Sequence, residues 1–199
     1  MSTGNRPVRA LLVVDVQPTF CEGGALPVAG GDAVAQAIAE HARTHRDAYD
    51  LVVTTQDWHV EPGHHFAVPP EEPDYVDTWP PHGVAGTAEA ELHPALADLR
   101  PDASVRKGAY AAAYSGFEGV DEDGRDLATI LRGAAVEEVD VVGIAESHCV
   151  RATALDALAL GLRTRVLTDL TVPVTPEQGA AARAELAAAG AVLTPSTTA

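Results

Sequence analysis

The run Val141-Val142-Gly143-Ile144-Ala145-Glu146-Ser147-His148-Cys149-Val150-Arg151 decides the fold. Its first half is apolar and β-branched, which suits a strand buried on both faces of a parallel sheet. From Cys149 onward the spacing changes, and Val150, Ala154, Leu155, Leu158 and Leu162 recur at helical intervals. The stretch therefore reads as strand, tight turn, helix, with Cys149 at or just before the first helical turn. Unpaired N–H groups and the helix dipole favour negative charge there. A thiol in that place is expected to have a lowered pKa and to act as a nucleophile. The N–H groups could also receive an oxyanion. A buried free cysteine serving only as a small hydrophobe is the other reading.

Working outward, Val8–Val16 reads as a strand that stops at Asp15. A Gly-rich loop covers 22–31, and Asp32 is expected to cap a helix running to about Asp47. Leu51–Thr55 is a second buried strand, leading into Gln56-Asp57-Trp58-His59. The segment from Asp57 to Pro94 has little periodicity but holds His59, His64, His65, His82 and His93, five of the eight histidines. A long irregular loop inside a compact domain is usually functional or disordered, and Trp58, Phe66, Tyr75 and Trp79 argue against disorder. Ser104–Lys107 is a short strand and Leu127–Gly133 a short helix. Val139–Ile144, Thr164–Leu167 and Ala191–Leu193 complete the strands, and Pro176–Ala189 is an Ala-rich helix. Strands alternate with helices, so the expected class is α/β: a parallel, Rossmann-like sheet flanked by helices on both faces. Neither a repeat nor a linker divides the chain, and 1–199 is expected to form one domain.

In open α/β sheets ligands bind beyond the carboxyl ends of the strands. Asp15, Asp57, Lys107 and Cys149 each follow such an end, so they are expected to converge on one cleft. A cysteine nucleophile needs a base and a nearby cation. Asp15 could take the thiol proton and return it to a leaving amine, and Lys107 could hold Asp15 ionised. A structural Asp15–Lys107 ion pair is the competing reading. Asp57 and His59, two apart in extended backbone, point the same way. With His65 and His82 they offer one carboxylate and three imidazoles, a donor set for zinc, iron or manganese. His64 and His93 have no comparable geometric case.

Net charge is −16 over 199 residues, which argues against nucleic acid or an anionic membrane as partner and for a small neutral or cationic ligand. Cys21 and Cys149 are the only cysteines, too few for a disulfide framework and in keeping with a reducing cytoplasm. The apolar stretch after Arg9 is too short for a signal core or a membrane span. Monomer and homo-oligomer both stay open.

With these residues laid out, the chain closely resembles the nicotinamidase/pyrazinamidase group of the isochorismatase-like cysteine hydrolases. The likeness runs from Leu11 to about Val174. It rests on Val14-Asp15-Val16-Gln17 with Phe20, Asp57-Trp58-His59 with Pro62-Gly63 and His65-Phe66, and Trp79-Pro80-Pro81-His82. Lys107-Gly108-Ala109-Tyr110, Tyr114-Ser115-Gly116-Phe117-Glu118-Gly119, and Gly143-Ile144-Ala145 with His148-Cys149-Val150 complete it. The resemblance implies that Cys149 attacks the carboxamide of nicotinamide, with Asp15 as proton carrier and Lys107 as its partner. It implies a cis peptide before Ala145 and an oxyanion hole from the N–H groups of Ala145 and Cys149. It further implies a metal, zinc ahead of iron or manganese, on Asp57, His59, His65 and His82, and ring walls from Phe20, Trp79 and Tyr114. Two departures stand out: Glu146-Ser147 where many relatives carry Thr-Asp, and Gly83 where a cysteine is often found. The rivals are a sister enzyme cleaving another small amide, carbamoyl compound or vinyl ether, and a non-catalytic metal- or ligand-binding thiol protein.

Overall fold

The computed structural model describes residues 6–68 and 70–198. Six strands form one all-parallel sheet: β1 (Arg9–Val14), β2 (Leu51–Asp57), β3 (Ala103–Lys107), β4 (Glu138–Ile144), β5 (Arg163–Val172) and β6 (Val192–Thr194). Their spatial order is β3-β2-β1-β4-β5-β6. The order reverses between β1 and β4, which is where an open α/β sheet offers its ligand crevice.

Strand alternation sorts the side chains of β1 into two cores. Leu11 and Val13 face α1 (Gly31–Thr44), packing with its Val34, Ala35 and Ile38. Ala10, Leu12 and Val14 face the other side, with Leu127 and Leu131 of α2 (Leu127–Gly133), Ala154 and Ala157 of α3 (Arg151–Ala159) and Leu186 of α4 (Pro176–Ala189). Helices thus cover both faces. Burying each large aliphatic side chain contributes about 1.5–3 kcal/mol.

Two expectations need correction. Asp32 does not cap α1; the N-cap is Gly30. The carboxylate of Glu22 reaches across the loop instead and accepts from the N–H groups of Gly30 at 2.6 Å and Asp32 at 2.8 Å. The fifth strand is also longer than Thr164–Leu167, because β5 continues through polar Thr168 and Asp169 to Val172.

Gly143 marks the join of sheet and site. Its φ is +132°, and a Cβ there would lie 2.0 Å from the Val14 carbonyl oxygen. Only glycine lets β4 shift register against β5 while staying paired to β1.

Candidate active site

Four adjacent strands deliver the reactive groups in spatial order: Lys107 from β3, Asp57 from β2, Asp15 just past β1 and Cys149 past β4. Asp57 and Lys107 are register partners. Lys107 is fully buried, and its Nζ lies 3.0 Å from Asp15 Oδ2, 3.0 Å from the Ala113 carbonyl and 3.7 Å from Cys149 Sγ, while also donating to Asp57 Oδ1. Reactive atoms of Asp15, Asp57 and Cys149 fall within 4.8 Å of one another. The expected convergence is therefore present, with one addition. Lys107 serves Asp57 as well as Asp15, a link that sequence spacing does not reveal.

Asp15 has φ +49°, a left-handed conformation that costs a non-glycine residue free energy. Its Oδ1 accepts from Thr55 Oγ1 at 2.6 Å, and its N–H donates to the Thr55 carbonyl at 3.2 Å. Gln17, part of the Val14–Gln17 motif, holds the neighbouring strand in place. Its buried amide accepts from the Asp57 N–H and donates to the Asp57 carbonyl, both at 2.9 Å, clamping that residue's backbone.

Cys149 does not sit at the start of an ordinary α-helix. The Ile144–Ala145 peptide is cis, as the resemblance implies, and Glu146–Val150 form a π-helical turn before α3 begins. The expectation of a lowered thiol pKa is overturned. Burial pushes the Cys149 thiol well above its ordinary value; Lys107 opposes this, while Asp15 and Asp57 add to it. Burial also pushes the Asp15 carboxyl up, with Lys107 pulling back. For Lys107, burial works against the charge, but Asp15 and Asp57 hold its pKa well above the usual lysine value. For Asp57 burial acts upward, yet Lys107 and His59 together hold it below the carboxylate range. The Cys149 thiol and the Asp15 carboxyl thus both hold a proton more tightly than usual, and they lie close enough for one proton to pass between them.

The 58–94 segment is folded by two isolated parallel bridges, His59 with Val84 and Phe66 with Trp79. They bring His59, His65 and His82 together, with one ligand nitrogen from each inside 4.8 Å. Asp57 Oδ2 is 3.6 Å from His59 Nε2 and 3.8 Å from His82 Nε2. His59 Nδ1 is tied to the Gly108 carbonyl at 2.6 Å and His82 Nδ1 to the Pro80 carbonyl at 2.8 Å. Each bond puts the proton on Nδ1 and leaves Nε2 with a lone pair. Among the described residues, the buried His59 Nε2 and His65 Nδ1 lack any hydrogen-bond partner. Burial lowers His65 to about 4, so its ring stays neutral at pH 7. Imidazole nitrogens without partners, converging beside a carboxylate, fit a divalent transition metal. The other two histidines of the loop stand apart: His64 is exposed, and His93 pairs with Asp32 at 3.1 Å.

A cavity of about 430 Å³ opens over this cluster, and Cys149, Ala145, Asp57, His65 and His82 share its lining with Phe20, Trp79 and Tyr114. Trp79 Nε1 donates to Tyr114 Oη at 3.1 Å, which fixes the two rings relative to each other. His148, whose ring meets Trp79 edge-on at 5.7 Å, also lines the cavity. Sequence reasoning gave it no role, although it adjoins Cys149 in the motif.

A thiol, a carboxylate and an ammonium at the switch point of a parallel α/β sheet are the equipment of a hydrolase working through sulfur. Residues 9–198 match the Isochorismatase domain family, and the chain belongs to that family. It is 52% identical over 186 residues to the nicotinamidase/pyrazinamidase of Mycobacterium tuberculosis, covering 94% of this chain and 98% of that one. Among solved structures, the zinc complex of Pyrococcus horikoshii pyrazinamidase superposes with a TM-score of 0.80 at 38% identity, covering 95% of this chain and 99% of the other. A protein of L. infantum in complex with nicotinate gives 0.82 at 35% identity, covering 98% and 96%.

Proposed function

We propose that this chain hydrolyses nicotinamide to nicotinic acid and ammonia through a thioester on Cys149, as one hydrolase domain over 1–199 serving NAD salvage in the cytoplasm. The observation that carries the reading is the shared cavity, where Cys149, Asp57, His65 and His82 face a slot walled by Phe20, Trp79 and Tyr114, with Asp15 and Lys107 buried directly behind the sulfur. The relatives named for nicotinamide and pyrazinamide hydrolysis support it, as does the nicotinate bound to a structural neighbour. Pyrazinamide, of the same shape with one more ring nitrogen, is expected as a second substrate.

Asp15 accepts the Cys149 proton as the sulfur attacks the carboxamide carbon. The N–H groups of Ala145 and Cys149 receive the developing oxyanion. Asp15 then gives its proton to the departing nitrogen, and ammonia leaves. In the second half Asp15 takes a proton from water, whose oxygen attacks the thioester carbonyl, and the sulfur leaves and regains a proton from Asp15. Lys107 stays charged throughout and holds the carboxylates and the thiolate together. Phe20, Trp79 and Tyr114 stack around the ring. A divalent metal held by Asp57, His59, His65 and His82, zinc best suited to the donor set, would supply a Lewis-acidic anchor for the ring nitrogen when bound.

The test is ammonia release from a panel of small amides. Nicotinamide and pyrazinamide should be turned over, and Cys149→Ala should lose turnover while keeping the fold. An inactive wild type with its metal loaded, or an active Cys149→Ala, would sink the proposal.

A further inference from the structure

The turn that carries Cys149 contains a second carboxylate. Glu146 follows Ala145 directly and precedes Cys149 by three residues, and its side chain is fully buried. Both oxygens are engaged: Oε1 accepts from Arg183 Nε at 2.6 Å and Oε2 from Thr171 Oγ1 at 2.5 Å. Next to it, Ser147 Oγ accepts from the Val174 N–H at 3.2 Å. Arg183 lies on α4, with 45% of its side chain exposed. The first turn of the same helix, through Gln178, lines the cavity with Thr175 just before it. One ion pair therefore spans from the nucleophile's turn to the helix that walls the substrate space. Neither partner lines the cavity.

We propose that Glu146 and Arg183 are positioning residues: their ion pair, with Thr171, fixes the Ala145–Cys149 turn so that sulfur and N–H groups meet the carboxamide in register. This rests on the hydrolase reading above. With its carboxylate end buried and its guanidinium half in solvent, the pair gives little net stability over apolar replacements, so stability alone does not account for it. The turn it grips is π-helical, an arrangement with no regular α-helical hydrogen-bond lattice of its own and one that recurs at functional sites. Side-chain anchors supply the missing constraint. Because the pair touches no substrate, its loss acts on the reacting geometry, and displacements of that kind cost far more in turnover than in binding.

The experiment compares wild type, Arg183→Ala, Arg183→Lys and the double variant Glu146→Ala/Arg183→Ala. Each is assayed for kcat and KM of ammonia release and for thermal unfolding. Arg183 is the chosen entry because its side chain is half outside, so the single variants are expected to fold. Arg183→Ala should lower kcat about ten- to a hundredfold with KM held within about twofold. Arg183→Lys should recover part of that. The double variant should melt no lower than Arg183→Ala, because no carboxylate is left stranded inside, while its kcat stays as low. A melting shift with unchanged kcat in Arg183→Ala overturns the positioning role. A wild type that releases no ammonia overturns the functional reading instead, so the two failures are told apart.

Discussion

The ammonium of Lys107 stands 3.7 Å from the sulfur of Cys149 while also holding Asp15 at 3.0 Å and bonding Asp57. One buried cation thus joins the Cys149 thiol, the Asp15 carboxylate and a carboxylate of the histidine cluster. Removing it strands two carboxylates in a site where neither is exposed. Lys107→Ala should lose turnover and about 3–5 kcal/mol of stability, the usual cost of an uncompensated buried charge. Urea unfolding checks this. A variant with stability equal to wild type would show that the lysine is no partner to either acid.

The direction of the Asp15 shift sets an acid limb. Only its ionised form can accept the thiol proton, and burial lifts its pKa above the ordinary 3.8. As pH falls, kcat/KM should drop at a pH above the usual carboxylate range. A profile flat down to pH 4, with metal content unchanged, would remove Asp15 from the proton path.

Gly108 controls the histidine cluster from behind. Its φ is +75°, and a Cβ there would lie 2.5 Å from Cε1 of His59, whose Nδ1 its carbonyl holds. Gly108→Ala should displace the His59 ring and lose bound metal, together with about 1–2 kcal/mol for the left-handed backbone. Metal stoichiometry on purified protein measures the effect. Full occupancy in this variant would place the metal elsewhere.

A second polar network lies within the α1 side of the sheet, away from the catalytic cluster. Asp140 on β4 receives Arg165 through two bonds of 2.6 Å and Tyr49 Oη at 2.8 Å, and His41 meets the same hydroxyl at 2.8 Å. Burial lowers His41 below its ordinary 6.5, helped by His45. The unfolded chain therefore binds this proton first, so the stability contribution is whole above pH 6.5 and is lost as pH falls toward the folded value. His41→Phe should flatten the dependence of unfolding free energy on pH between 7.5 and 5. An unchanged slope would assign that dependence to other groups.

Much of this was legible in the sequence, and the failures share a cause. Continuous apolar runs such as Leu11–Val14 and Val141–Ile144 announce doubly covered strands, and strand-end residues mark the cleft. Local rules failed where a distant group intervened. Asp32 is a good capping residue, but Glu22, from the far end of the same loop, takes the N–H groups. The helix dipole favours a thiolate at Cys149, but full burial beside two carboxylates outweighs it. The pairing of Lys107 with Asp57 depends on the register of β2 against β3, which no spacing encodes. Glu146 looked like a mere departure from the family pattern until Arg183, 37 residues later, appeared beside it.

The left-handed backbone of Asp15 carries one more consequence. Asparagine and glycine tolerate that conformation better than aspartate, and either one relieves the crowding of two anions around a single lysine. In metal-free protein, Asp15→Asn should melt at a higher temperature than wild type and do no chemistry. Directed selection for soluble yield or heat tolerance would then drift toward a well-behaved but silent protein, and any such campaign on this scaffold has to score turnover at every round.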